Sequence, residues 1–239
     1  MSAIAEAIQR AHRFNESGDY RAALGELDAA VEMDPINADA LAAKAWALEN
    51  LGTECLPAAR SAYAAVLALR RDDLWARLGL ANVLRRLGDV DEAARMFREI
   101  EEAGRDRMIA EPELLELVGW CQYRLGRHAR AIQTFEAALV NDEHWISVRF
   151  DLALAQLTAG LRERAEASYA DGIARARGRT DRGGLMHVAL DDLREAMAER
   201  PEFASSPDVH RLYDMLVREL DPSTGRNHPL HDSRPGSPG

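Results

Sequence analysis

Few side chains in this sequence stand at spacings that could do chemistry. Residues 174–184, ARARGRTDRGG, gather Arg175, Arg177, Arg179 and Arg182 beside glycines, a composition able to meet phosphate. A positive helix end followed by a loop gives the same pattern and is the reading expected here. His228 and His231 could hold a metal, but two imidazoles near a flexible chain end make a poor site. Asp191 and Asp192 are adjacent rather than stacked on one helix face, so they do not form an acid and base pair. Cys55 and Cys121 lack a second thiol or paired histidines at zinc-ligand spacing and are expected as free thiols. No GxSxG, HExxH, Walker or dinucleotide pattern occurs. No enzyme activity, catalytic residue, cofactor or metal is therefore expected.

What remains is recognition. Trp46, Trp75, Trp120, Tyr123 and Phe150 combined with Asn82, Arg85, Arg86 and Arg124 have the composition of an interaction hot spot. Such side chains act together only if the elements carrying them bring them to one surface.

Those elements repeat. Glycines at 18, 52, 88, 126 and 160 are separated by 34, 36, 38 and 34 residues. After each comes a small residue and, four positions on, a large one: Ala23 and Leu27, Ala59 and Tyr63, Ala93 and Phe97, Ala131 and Phe135, Ala165 and Tyr169. Four residues are about one helical turn. Apolar or small side chains at steps of three and four precede each glycine, as in Leu41, Ala45, Leu48 and Leu51, which predicts a helix. The glycine is expected to end it in a left-handed conformation, and Asp19 and Asp89 suit the entry to a second helix. The small residue lets the two helices approach, and the large one fills the space between neighbouring hairpins. The longer spacings have local causes: a two-residue insertion in TECLP, with Pro57 at a first helical turn, and extra length in residues 101–113.

This pattern resembles the tetratricopeptide repeat family, with five copies in register at 4–37, 38–73, 74–107, 112–145 and 146–178. The resemblance implies an all-α, right-handed α-solenoid of antiparallel helix hairpins. Residues 181–220 hold two further amphipathic helices, with Leu185, Val188, Leu193 and Met197 on the first and Val209, Leu212, Tyr213, Leu216 and Leu220 on the second. They are expected as a divergent sixth hairpin capping the open end. Residues 221–239, rich in Pro, Gly and Ser, are expected to be a disordered tail.

In the family the first helices line the concave face and bind peptides or partner helices. By position, that stripe stands 13, 10, 6 and 3 residues before each turn glycine: Ala5, Ile8, His12, Asn15; Asp39, Ala42, Trp46, Glu49; Trp75, Leu78, Asn82, Arg85; Glu113, Glu116, Trp120, Tyr123; Ser147, Phe150, Leu154, Leu157. Three of the chain's four tryptophans fall on it, and Arg86 and Arg124 border it. The family's carboxylate clamp is absent, since Ile8, His12, Ala43, Trp75 and Gly79 stand where its basic and amide residues would be. A net charge of −10 disfavours nucleic acid or an anionic membrane as partner, and MSAIAEAIQRAHRF has neither a signal-peptide core nor a membrane span. The expected protein is a bacterial, cytoplasmic adaptor binding a protein or peptide in this groove. The alternatives are a homo-oligomeric scaffold, built on the 207–220 face, and a secretion or assembly chaperone.

Overall fold

The computed structural model describes residues 2–179 and 181–220; the expected disordered tail, with His228 and His231, lies outside the described residues. Among the described residues there are thirteen α-helices and no strand. Ten of them form five consecutive hairpins: α1 (Ala3–Glu16) with α2 (Tyr20–Met33), α3 (Ala38–Leu51) with α4 (Leu56–Leu69), α5 (Leu74–Arg86) with α6 (Val90–Arg105), α7 (Leu114–Arg124) with α8 (His128–Asn141), and α9 (Ile146–Thr158) with α10 (Arg162–Ala176). They stack in chain order as a right-handed solenoid.

Local sequence explains the hairpins. Four helix starts carry side-chain caps: the amide N–H groups of Ala5, Ala22, Ala40 and Ala76 donate to Ser2, Asp19, Asn37 and Asp73. Asp89 makes no such bond and instead faces Arg60 at 3.8 Å. Gly88 turns the chain with φ +94°, a conformation a β-carbon would strain. Gly52 departs from the expectation. Its φ of 160° is ordinary extended backbone, because the two-residue insertion replaces the tight turn with a short 3-10 turn over Thr53–Cys55. All five alanines and all five large residues that follow them are buried. Tyr63 lies against Gly79 of the next hairpin and Phe135 against Gly119 of its own, places where a β-carbon would collide with the ring.

Beyond the fifth hairpin come α11 (Arg182–Glu199), the short α12 (Pro201–Ala204) and α13 (Pro207–Leu220). Helix α13 packs on α10 and α11, burying Val209, Leu212 and Leu216, so the face considered for self-association covers its own chain. Helix α11 packs on α9 and α13, yet it also reaches α1 at the opposite end of the solenoid. It lies across the concave face and does not simply extend the stack. Its buried residues are Met186, Ala189, Leu190, Leu193 and Ala196 together with Gly184, whereas Leu185, Val188 and Met197 are only partly covered. The apolar stripe expected from helical spacing is thus rotated, because α11 is covered from two sides.

Candidate functional site: the concave face and the helix lying in it

The first turn of α11 meets the end of α1. A β-carbon on Gly184 would run into the Glu16 carbonyl, and the ring of His187 lies against Gly18. Its last turns meet the ends of α5 and α7. Glu195 pairs with both Arg85 and Arg124, the latter at 2.5 Å; Glu199 also pairs with Arg85, and Asp192 stands 3.8 Å from Arg124. Arg86 adds a contact to Glu195 at 3.9 Å and donates to the Glu49 carbonyl at 2.7 Å. The Arg124 side chain is 6% exposed and lies over the Trp120 ring, 4.5 Å from its centroid, with Trp120 stacked on Tyr123. Burial pushes the Glu195 carboxyl upward, but Arg124 and Arg85 outweigh it and hold the group below the usual carboxylate range. This is a desolvated, hydrogen-bonded ion cluster, which costs far more to break than a surface pair.

The nine residues assigned to partner binding therefore fall into two sets. Arg85, Arg86, Tyr123 and Arg124 surround or support the last turns of α11. Trp46, Trp75, Asn82, Trp120 and Phe150 line two adjoining cavities between α11 and the inner helices, of ≈ 530 and ≈ 360 Å³. The first lies between α1, α3, α9 and α11, the second between α3, α5, α7, α9 and α11, and they share Ala42, Trp46, Ser147, Asp151, Val188 and Asp192. Trp120, Tyr123 and Phe150 are buried, Trp46 is half-buried with its ring edge-on to Tyr20, and Trp75 is 46% exposed at the mouth of the second cavity.

Four carboxylates on these walls form a group that the sequence does not announce: Glu49, Glu116, Asp151 and Asp192. Glu49 accepts from the Tyr63 hydroxyl at 2.7 Å and Glu116 from the Ser147 hydroxyl at 2.7 Å. Burial pushes Glu49 and Asp192 each up to about 7. It raises Glu116 as well, and burial with the neighbouring Glu116 and Asp192 charges holds Asp151 well above its ordinary value. Three of the four come from separate inner helices and one from α11, so their convergence depends on the curvature of the solenoid. Glu49 and Glu116 were visible on the inner stripe, which was the available signal. Asp192 stood out only as the neighbour of Asp191, and Asp151 carried no signal.

The remaining candidates have structural partners. Arg175 pairs with Asp171, Arg177 and Arg182 with Glu219, and Arg179 with Asp181, so the basic run ties α10 and α11 to α13. Asp191 pairs with Arg194. Cys121 is buried, which pushes its thiol up and away from reactivity. Among the described residues no group of three His, Cys, Asp or Glu side chains converges as a metal site, and no helix is long and apolar enough to cross a membrane.

With the hairpins and their concave face in place, comparison with known proteins is decisive. The tetratricopeptide repeat model matches residues 8–54, 56–107 and 78–144. The chain belongs to the tetratricopeptide repeat family. Solved structures share the fold. A thermophilic tetratricopeptide repeat protein of Thermus thermophilus, TTC0263, is 20% identical with a TM-score of 0.60 over 80% of this chain and 99% of that one. PilW, a type IV pilus biogenesis factor, is 17% identical with a TM-score of 0.53 over 89% and 99%. Human IFIT1, solved as a dimer with m7Gppp-AAAA, is 17% identical with a TM-score of 0.56 over 85% of this chain and 46% of that one. No curated protein matches the sequence. Tetratricopeptide repeat proteins are in general non-enzymatic scaffolds, and the fold of this chain supports a general role as a protein–protein interaction module.

Proposed function

We propose that the protein is a cytoplasmic, non-catalytic adaptor that binds a segment of a partner protein along the part of the concave face that α11 leaves open. Trp46, Trp75 and Asn82 present this open part, Trp120 and Phe150 form its floor, and Arg85, Arg86, Tyr123 and Arg124 hold α11 as its far wall. The observation that carries the reading is Trp75: a large aromatic ring, 46% exposed, at the mouth of a cavity whose other aromatic walls, Trp46, Tyr63 and Trp120, are half-buried or buried. Exposed tryptophan beside such a recess is the arrangement of an interface anchor. Its inner-stripe position is not one the repeat needs for packing.

Phage-displayed peptide selection on the purified chain tests this. The wild-type protein should enrich a family of related sequences, and a Trp75→Ala, Asn82→Ala variant with unchanged helical content should lose them. Enrichment of the same sequences by that variant would overturn the assignment.

A further inference from the structure

The two adjoining cavities are rich in carboxylate and amide acceptors and poor in cationic donors. Among the described residues no lysine or arginine lines either, and His12, at the α1 end, is their single basic side chain. Glu49 and Glu116 each have one hydroxyl donor, and Asp192 has Arg124 only at 3.8 Å. Asp151, on the wall common to both cavities, has no hydrogen bond or ion pair among the described residues. A second observation does not depend on charge. Asn15, 4% exposed and lining the first cavity, has a side-chain oxygen with no donor among the described residues, and so does Asn82, lining the second. Buried amide oxygens without partners are rare in folded proteins, and each marks a missing donor.

The acceptors are spread along the walls and do not converge on a point, as an inorganic cation would require. Between them stand the rings of Trp46, Trp120 and Phe150 and the apolar side chains of Leu78 and Val188. Aromatic faces and carboxylates together attract an ammonium head, and the apolar side chains suit an aliphatic arm. The volume of ≈ 530 Å³ is that of a small-ligand site.

We propose that these cavities bind an alkylammonium group, with Asp151 as its principal counter-ion and Asn15 and Asn82 as flanking acceptors. The group belongs either to a free aliphatic amine or to a lysine side chain of a bound peptide. A free amine would fill the site with no partner present, so this proposal stands apart from the partner-binding reading and is tested without one.

The purified full chain is titrated with pentane-1,5-diamine and with Nα-acetyl-lysine amide, using pentan-1-ol as the neutral control, and binding is read by calorimetry and tryptophan fluorescence. Saturable binding of either ammonium compound at one site, with pentan-1-ol bound at least tenfold more weakly, is the expected result. The diamine alone would identify a free amine as the source; the lysine amide alone would identify a peptide. Asp151→Asn should weaken binding at least tenfold, because the amide cannot ionise against the ammonium group, and raise the melting temperature, because it removes an unpartnered carboxyl whose ionisation opposes folding. Asn15→Ala, at the other end, should weaken binding a few-fold and serves as the second variant if Asp151→Asn does not fold. Failure of both ammonium compounds to bind, equal binding of the alcohol, or unchanged affinity in a folded Asp151→Asn or Asn15→Ala variant would overturn the proposal.

Discussion

Replacing Glu195 by alanine should release α11 from the concave face while the five hairpins stay folded. Glu195 is 22% exposed and, among the described residues, is the one carboxylate that pairs with both Arg85 and Arg124, whose side chains are 15% and 6% exposed. Without it Arg124 keeps only Asp192 at 3.8 Å, and Arg85 keeps only Glu199. Removing one partner from a buried pair costs about 3–5 kcal/mol, and the partial exposure of Glu195 puts the expected loss near the lower end, about 3 kcal/mol. That corresponds to roughly a hundredfold increase in the opening constant of α11. Hydrogen exchange reads this residue by residue. Amides of 186–196 should exchange about a hundredfold faster, while those of α6 and α8, held by their own buried Phe97 and Phe135, change little. A change below threefold in α11 would refute the view that the ion cluster holds it. Uniform acceleration across all helices would show that α11 is not separable from the rest.

Other expectations concern charge and backbone. Glu49 and Asp192, each raised to about 7, together with raised Glu116 and Asp151, favour the folded state when protonated. Their contribution is complete below the ordinary carboxylate range and is lost as pH rises through about 7, on the order of 4 kcal/mol for Asp192. The melting temperature should therefore rise as pH falls from 8 to about 5, a trend that Asp151→Asn should flatten. The depressed carboxylates, Glu26, Glu111, Asp181, Glu195 and Glu219, oppose it only at lower pH, as they protonate. Gly184→Ala should loosen the first turn of α11 by about 1–3 kcal/mol through its collision with Glu16, seen as faster exchange of residues 185–189. Gly88→Ala should lower stability by about 1 kcal/mol in urea denaturation through backbone strain alone, since no atom lies near its added methyl, whereas Gly52→Ala should cost less than half of that.

The hairpins were legible in the sequence because each is specified within about thirty residues. A turn residue, an alanine that permits close approach and a large side chain one turn later recur five times, so a single ambiguous copy such as the Gly52 turn does not disturb the register. The inner stripe was legible for the same reason, being a fixed offset from each glycine. The position of α11 was not. Glu195 and Arg85 are 110 residues apart, and no local period connects them. Two traces of it exist in retrospect. Arg85, Arg86 and Arg124 end inner helices where the repeat requires no charge, and Asp192, Glu195 and Glu199 stand at helical spacing to answer them. Gly183 and Gly184 begin a helix where glycine is otherwise unfavourable, because that turn passes against the backbone of Ser17 and Glu16.

A helix that touches both the first and the last hairpin changes how the molecule can fall apart and how it can have been built. Open repeat arrays interact only between neighbours, so they fray from their ends and tolerate gain or loss of a unit. Here α11 meets α1, α5, α7 and α9 at once, and its arginine and carboxylate partners stay in register only if the hairpins between Glu16 and Arg124 keep their number and curvature. Copy number is thereby fixed: duplicating or deleting one hairpin would move Arg85 or Glu16 out of reach. Unfolding of the α11-docked molecule should proceed as one cooperative transition in place of stepwise fraying, and a chain assembled from interchangeable parts behaves as a closed domain.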